Sequence, residues 1–125
     1  MTMGSRELAL HAARLALDKS GADVAVLELP RSALVDYVVI VTGRSDRQVG
    51  AITDEVLRFC KQHGITHAPA EGESGWLLLD CFDVVVHAMS SEMREFYRLE
   101  RLWPSARAVD LDAELAKLPK FAAAS

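Results

Sequence analysis

No run in this chain approaches the ~20 consecutive apolar residues of a membrane span, and its first residues lack the apolar centre of a secretory leader. Cysteine is scarce: Cys60 and Cys81 are the only two. Their apolar neighbours fit buried free thiols better than a disulfide framework, as expected in a reducing compartment. A basic excess is missing as well, with a net charge of −4 and a pI near 5.5. Affinity for nucleic acid rests largely on phosphate contacts, so the charge favours a protein surface as partner and argues against DNA or RNA. The phosphate-loop glycines are also absent. Gly43-Arg44-Ser45 stands where such loops sit, yet neither Gly-x-x-x-x-Gly-Lys-Ser/Thr nor Gly-x-Gly-x-x-Gly is present. The expectation is a soluble, cytoplasmic protein.

What is present is an ordinary globular balance, 50% hydrophobic and 26% charged over 125 residues. A chain this long buries roughly two-thirds of its unfolded surface without metal or disulfide help. Leu8, Ala12, Leu15 and Ala16 recur at helical spacing and predict a helix over 5–20, with Gly21 as its stop. Val24–Leu29 reads as a strand ending at Pro30. Asp36–Thr42 is β-branched and apolar on both parities, the pattern of a strand covered on both faces. Ser45 or Asp46 caps a helix to about His63, whose inward stripe is Val49, Ile52, Val56, Phe59 and Cys60, closed by Gly64. Ile65–Ala70 reads as a short strand and Glu71–Gly75 as a loop. Trp76–Asp80 and Asp83–Met89 form an antiparallel hairpin around Cys81-Phe82; two-residue turns usually need positive φ and neither residue is Gly or Asn, so the turn is either looser than two residues or mildly strained. Ser90 or Ser91 caps a last long helix through Leu102, stopped by Pro104. Residues 1–104 make one domain. A tail at 105–125 carries a short helix at Asp110–Lys117 and frays over Phe121–Ser125. The order is α-β-β-α-β-β-β-α, an α/β fold with a mixed sheet and flanking helices.

Chemistry is poorly supported by these residues. Asp80 and Asp83 flank the hairpin turn and could hold Mg²⁺ for nucleotidyl transfer. Such sites usually place two carboxylates one residue apart on a strand, on one face; solvated turn aspartates are the simpler reading. His11, His63, His67 and His87 show no ligand spacing, so no metal or cofactor is expected. His87 shares a strand face with Asp83, which suits either an oriented general base or, more commonly, a structural histidine bonded to that aspartate. The last helix is more informative. Met93, Phe96, Tyr97, Leu99, Leu102 and Trp103 cover more of its circumference than one buried stripe needs. Arg94, Arg98 and Arg101 alternate with Glu92, Glu95 and Glu100. Either ion pairs lace a helix over a core, or the surplus aromatic and arginine residues are interface anchors.

Three segments, in order, carry a resemblance: DYVVIVTGRSDRQV at Asp36–Val49, GWLLLDCFDVVVHAM at Gly75–Met89, and EFYRLERLW at Glu95–Trp103. Together they closely resemble the ribosomal silencing factor family, the Iojap-like proteins, from about Arg6 to Trp103. The resemblance implies a nucleotidyltransferase-like fold without the catalytic residues. It further implies binding to the large ribosomal subunit through its protein numbered fourteen, a block on subunit joining, and repression of translation when nutrients are scarce. Some family members form homodimers. On motif position and residue chemistry, the expected partner-binding residues are Trp76, Asp80, Asp83, Glu95, Tyr97, Arg98 and Arg101, with Trp76 the apolar anchor. Two departures stand out: Arg44 where the family usually has Thr or Ser, and Phe82 where it commonly has Gly. The rival readings are an Mg-dependent nucleotidyltransferase using Asp80 and Asp83, and an RNA-binding module using Arg44, Arg47 and the arginines of the last helix.

Overall fold

A computed structural model describes residues 3–119; the expected fraying at Phe121–Ser125 lies outside them. Six strands form one sheet: β1 (Ala22–Glu28), β2 (Tyr37–Gly43), β3 (Glu71–Glu73), β4 (Trp76–Asp80), β5 (Val84–Ser90) and β6 (Arg107–Ala108). Their spatial order is β3-β4-β5-β2-β1-β6. The central pair β2 and β5 is parallel, from Tyr37 opposite Val84 to Gly43 opposite Ser90, and every other pairing is antiparallel. The helices are α1 (Ser5–Asp18), α2 (Asp46–Gln62), α3 (Ser91–Tyr97) and α4 (Leu111–Lys117), with a short 3-10 helix at Leu99–Leu102.

All seven residues of β2 are buried, as its two-sided apolar pattern requires. The side chains then divide between two layers. On one face α1 and α2 cover Val26, Val39, Val84, Val86 and Leu79, joined by Val41 and Ala88 under Val49 and Ile52. On the other, Leu27, Val38, Ile40 and Met89 are covered by Leu99, Trp76 and Trp103. The first layer has two long helices over it. The second is covered by α3, the 3-10 helix, the chain around Trp103 and, from the β1–β2 connection, Ala33 and Val35; toward its β4 edge Trp76, Leu78, Asp80 and Val85 are only partly buried, so that end remains partly open.

Local chemistry explains the boundaries. Ser45 caps α2 by accepting the Gln48 amide at 3.1 Å, Ser90 caps α3 through the Met93 amide at 3.2 Å, and Asp110 caps α4 through the Ala113 amide at 3.2 Å. Gly64 takes positive φ beyond α2, as expected of a left-handed cap. At the end of α1 the roles differ from expectation: Ser20, not Gly21, adopts positive φ. Gly21 is needed for closeness, since a Cβ there would stand 2.6 Å from the Val41 side chain and 2.8 Å from the Ala16 carbonyl oxygen. The tail folds back: β6 pairs with β1, and Arg14 of α1 grips the Leu115 carbonyl and, at 3.1 Å, the Leu118 carbonyl. A cation there suits the negative end of α4.

Two elements differ from the sequence reading. Residues 65–70 are not a strand; the strand is Glu71–Glu73, paired with β4 across the turn at Ser74-Gly75. The last helix does not run unbroken to Leu102. Arg98 takes a left-handed conformation (φ 46°, ψ 60°) that ends α3 and starts the 3-10 helix.

The β4–β5 turn is both looser than two residues, since Asp83 lies outside β5, and strained. Phe82 sits at φ 68° with its ring about half exposed. The Asp80 carboxylate accepts the Phe82 amide at 2.8 Å, and the Asp83 amide donates to the Cys81 carbonyl at 2.9 Å. A left-handed conformation costs a non-glycine residue roughly 1–2 kcal/mol. Phe82→Gly is therefore expected to stabilise the protein by about 1 kcal/mol, the added unfolded-state freedom of glycine offsetting part of the relief. A urea unfolding midpoint equal to or below the wild type would contradict this.

Candidate functional site

The partly open sheet face is where the residues singled out from the sequence meet, though not all of them do. Trp76 opens β4 and lies opposite Met89 of β5; Leu78 lies opposite His87, and Asp80 opposite Val85. Period-two alternation therefore puts Trp76, Leu78 and Asp80 on one face with Val85, His87 and Met89. Tyr97 closes over the Trp76 end, its ring centroid 4.9 Å from that of Trp76. Phe96 meets Tyr97 edge-on at 4.9 Å. No residue of α3 is buried: Phe96 is 79% exposed and Tyr97 49%. The helix thus adds aromatic surface at the edge of the sheet face without sealing it.

Trp76 is half-buried, with its ring edge anchored inward. Its indole N–H donates to Nδ1 of His87 at 3.1 Å. His87 is 7% exposed, and burial holds its imidazole down at about 4, well below the ordinary value. The ring is therefore neutral near pH 7, with Nδ1 accepting and Nε2 carrying the proton. This corrects the expected pairing with Asp83. The partner of His87 is Trp76, because Asp83 lies beyond the start of β5 while Trp76 sits one strand away, diagonal to His87. An oriented general base has no support here.

Asp80 shares the face of Trp76 but stands at the far end of β4, about 13 Å away along the strand. One of its oxygens is engaged by the Phe82 amide. Asp83 lies in the turn itself, where its backbone carbonyl accepts the amides of Asp36 (2.8 Å) and Tyr37 (3.2 Å). The Asp80 carboxylate thus serves turn geometry, whereas Asp83 engages through its backbone; the described residues contain no group of three His, Cys, Asp or Glu placed to hold a metal ion. Glu95, Arg98 and Arg101 are exposed. Arg98 bends back to the Glu95 carbonyl at 3.2 Å. The three arginines do not act as one stripe. Arg94 turns under α3 and is mostly buried, donating to the Asp23 carbonyl, to Oγ1 of Thr42 at 3.1 Å and to Glu100 at 3.4 Å. It fastens α3 to the sheet. Arg44 and Arg47 lie exposed at the start of α2, where the Arg44 amide donates to the Gln48 side chain.

A feature missed from sequence is an open pocket of about 320 Å³ beside this aromatic cluster, lined by Glu71, Gly72, Glu73, Ser74, Trp76, Met93 and Tyr97. Its acidic wall is β3, the segment read as a loop. Glu71-Gly72-Glu73 does alternate with period two, but three residues are too few to register as a strand. The result is an aromatic floor with exposed carboxylates at its rim, on a chain of net negative charge.

Among the described residues, no helix is long and apolar enough to cross a membrane. The chain matches the family described as "Ribosomal silencing factor during starvation" over residues 2–125. The ribosomal silencing factor RsfS of Bacillus subtilis is 38% identical over 113 residues, covering 88% of this chain and 96% of that protein. A crystal structure of a Chromobacterium violaceum protein superposes with a TM-score of 0.78 at 30% identity, covering 98% of this chain and 95% of the other. A mouse protein named for mitochondrial assembly of the ribosomal large subunit is 29% identical over 100 residues, 75% of this chain and 44% of its own. The chain belongs to the ribosomal silencing factor family, RsfS.

Proposed function

We propose that the open sheet face around Trp76 and Tyr97 docks on the large ribosomal subunit, against its protein numbered fourteen. Seated there, the domain stands where the small subunit closes, and translation is repressed by steric exclusion without chemistry of its own. The observation that carries this reading is the Trp76–Tyr97 pair, half open and continued by exposed Phe96. Rigid aromatic side chains held in place before contact are what interface hot spots are made of. Glu71, Glu73 and Glu95 surround them, and acidic groups speed and orient docking on the generally basic surfaces of ribosomal proteins. The name of the mouse relative points to the same subunit. The setting is the cytoplasm, and a second copy of the chain on this face would compete with the ribosome.

Trp76 acts as the anchor, with Tyr97 beside it and Glu95, Arg98 and Arg101 on the rim. Asp80 and Asp83 contribute charge at the far end of the face. Tyr97→Ala is expected to weaken binding to large subunits at least tenfold, and Glu95→Arg to weaken it further with a shallower salt dependence. Asp80→Asn separates charge from turn geometry, because the amide oxygen still accepts the Phe82 N–H; a modest loss is expected. Sedimentation with purified subunits measures all three. Wild-type affinity in the folded Tyr97→Ala, Glu95→Arg double variant would remove this face from the mechanism.

A further inference from the structure

The only two cysteines of the chain are brought together by the fold. Cys60 lies in the last turn of α2 and Cys81 opens the β4–β5 turn; their sulfur atoms are 3.7 Å apart, both buried and both free thiols. They belong to the cluster beneath α1 and α2, on the side of the sheet away from Trp76 and Tyr97. Cys60 has no exposed surface, whereas Cys81 also lines a pocket of about 330 Å³ together with Ser5, His63, Thr66 and Phe82. One cysteine therefore borders an open pocket, and the sulfur of the second lies 3.7 Å from its own.

We propose that Cys60 and Cys81 form an oxidative modification site, in which a peroxide entering this pocket converts the pair to a reversible intramolecular disulfide. The contact with Cys60 and burial keep the Cys81 thiol protonated, so in the first step its sulfur attacks one peroxide oxygen as the S–H proton passes to the departing oxygen. An S–O bond forms, the O–O bond breaks, and the departing hydroxide takes up that proton to leave as water. The Cys60 sulfur then attacks the sulfenic sulfur of Cys81; the S–S bond forms, and the displaced hydroxide leaves as water with the Cys60 proton. Two thiols lose two hydrogens, and one peroxide becomes two waters. The sulfurs are already in van der Waals contact and must close to about 2.05 Å. The turn is the compliant partner, because Phe82 is exposed at positive φ while Cys60 is held within a helix. The bond would tie the end of α2 to the turn bearing Asp80 and Asp83. With no other thiol in the chain, no internal pairing competes.

The folded protein is treated with millimolar hydrogen peroxide, quenched, unfolded in an alkylating agent and weighed intact. The expected result is a mass lower by two hydrogens with no alkylation, a cross-linked peptide pair containing Cys60 and Cys81, and full reversal by dithiothreitol. In Cys81→Ser, Cys60 is expected to remain alkylatable, because it has no exposed surface and does not line the pocket. Recovery of two alkylated thiols after peroxide, a disulfide that forms only in urea, or equal oxidation of Cys60 in Cys81→Ser would each overturn the proposal. None of these readouts depends on ribosome binding.

Discussion

Between pH 7 and pH 4 the protein is expected to lose about 3 kcal/mol of stability through His87 alone. Burial holds the folded imidazole at about 4, whereas an unfolded histidine titrates near 6.5. In that window the unfolded chain binds a proton that the folded chain refuses. Stability therefore rises with pH across the interval and is fully regained above the unfolded value. The cause is geometric as well as dielectric. Nδ1 accepts the Trp76 indole N–H at 3.1 Å, and an imidazolium would set two donors against each other in a buried space. Carboxylates titrate in the same range, and burial lowers His11 in the same direction, so the informative quantity is a difference. His87→Gln keeps a neutral acceptor for Trp76 and is expected to flatten the wild-type curve between pH 6.5 and 4. Parallel urea-derived stabilities for the two proteins would show that His87 takes up its proton without cost. Because Trp76 is the proposed anchor, the same protonation is expected to loosen the docking face.

Arg94→Ala is expected to cost about 2–3 kcal/mol, more than its position in a surface helix suggests. The guanidinium reaches under α3 to the Asp23 carbonyl and the Thr42 hydroxyl, and pairs with Glu100 at 3.4 Å. Asp23 lies in the irregular start of β1, where the register shifts between Ala22 and Ala25, so its carbonyl is available to a side chain. Thr42 is 5% exposed, and its hydroxyl loses its donor when the arginine is truncated. Hydrogen bonds to a charged group are worth roughly 1.5–3 kcal/mol, and leaving a buried partner unmade costs the desolvation of that partner. Since α3 has no buried residue of its own, Arg94 and the Leu99 contact hold it against the sheet. Its loss should also free Tyr97 from Trp76, seen as a red shift in tryptophan emission. Arg94→Lys retains charge without the planar fork and should recover less than half the loss. An Arg94→Ala variant within 0.5 kcal/mol of wild type, the usual scatter of surface substitutions, would show that α3 stays in place without it.

Much of this was legible in the sequence, for identifiable reasons. The β2 strand announced itself because burial on both faces leaves an unbroken apolar run. The α2 stripe of Val49, Ile52, Val56, Phe59 and Cys60 is buried as its spacing required. At the β4–β5 turn both alternatives hold, a third turn residue and a positive φ at Phe82. The misreadings came where a long-range contact outweighed local pattern. Arg94 looks like one of three equivalent surface arginines until the bulge at Asp23, far away in sequence, is placed beside it. His87 pairs with Trp76 because β4 and β5 lie side by side, which alternation within β5 alone does not reveal. Arg98 carries no glycine-like signature of a helix end, so the break in the last helix was hidden among good helix formers. The aromatic surplus of that helix was visible; what the sequence does not show is that Phe96 and Tyr97 are exposed while Leu99 is buried.

The docking reading is tested most directly by co-sedimenting the purified protein with separated small and large ribosomal subunits, then following subunit joining at increasing protein concentration. It predicts binding to large subunits alone and inhibition of joining in proportion to occupancy, with Tyr97→Ala shifting both curves together. Binding to neither subunit, at salt that keeps ribosomes intact, or binding that leaves joining unaffected, would contradict it.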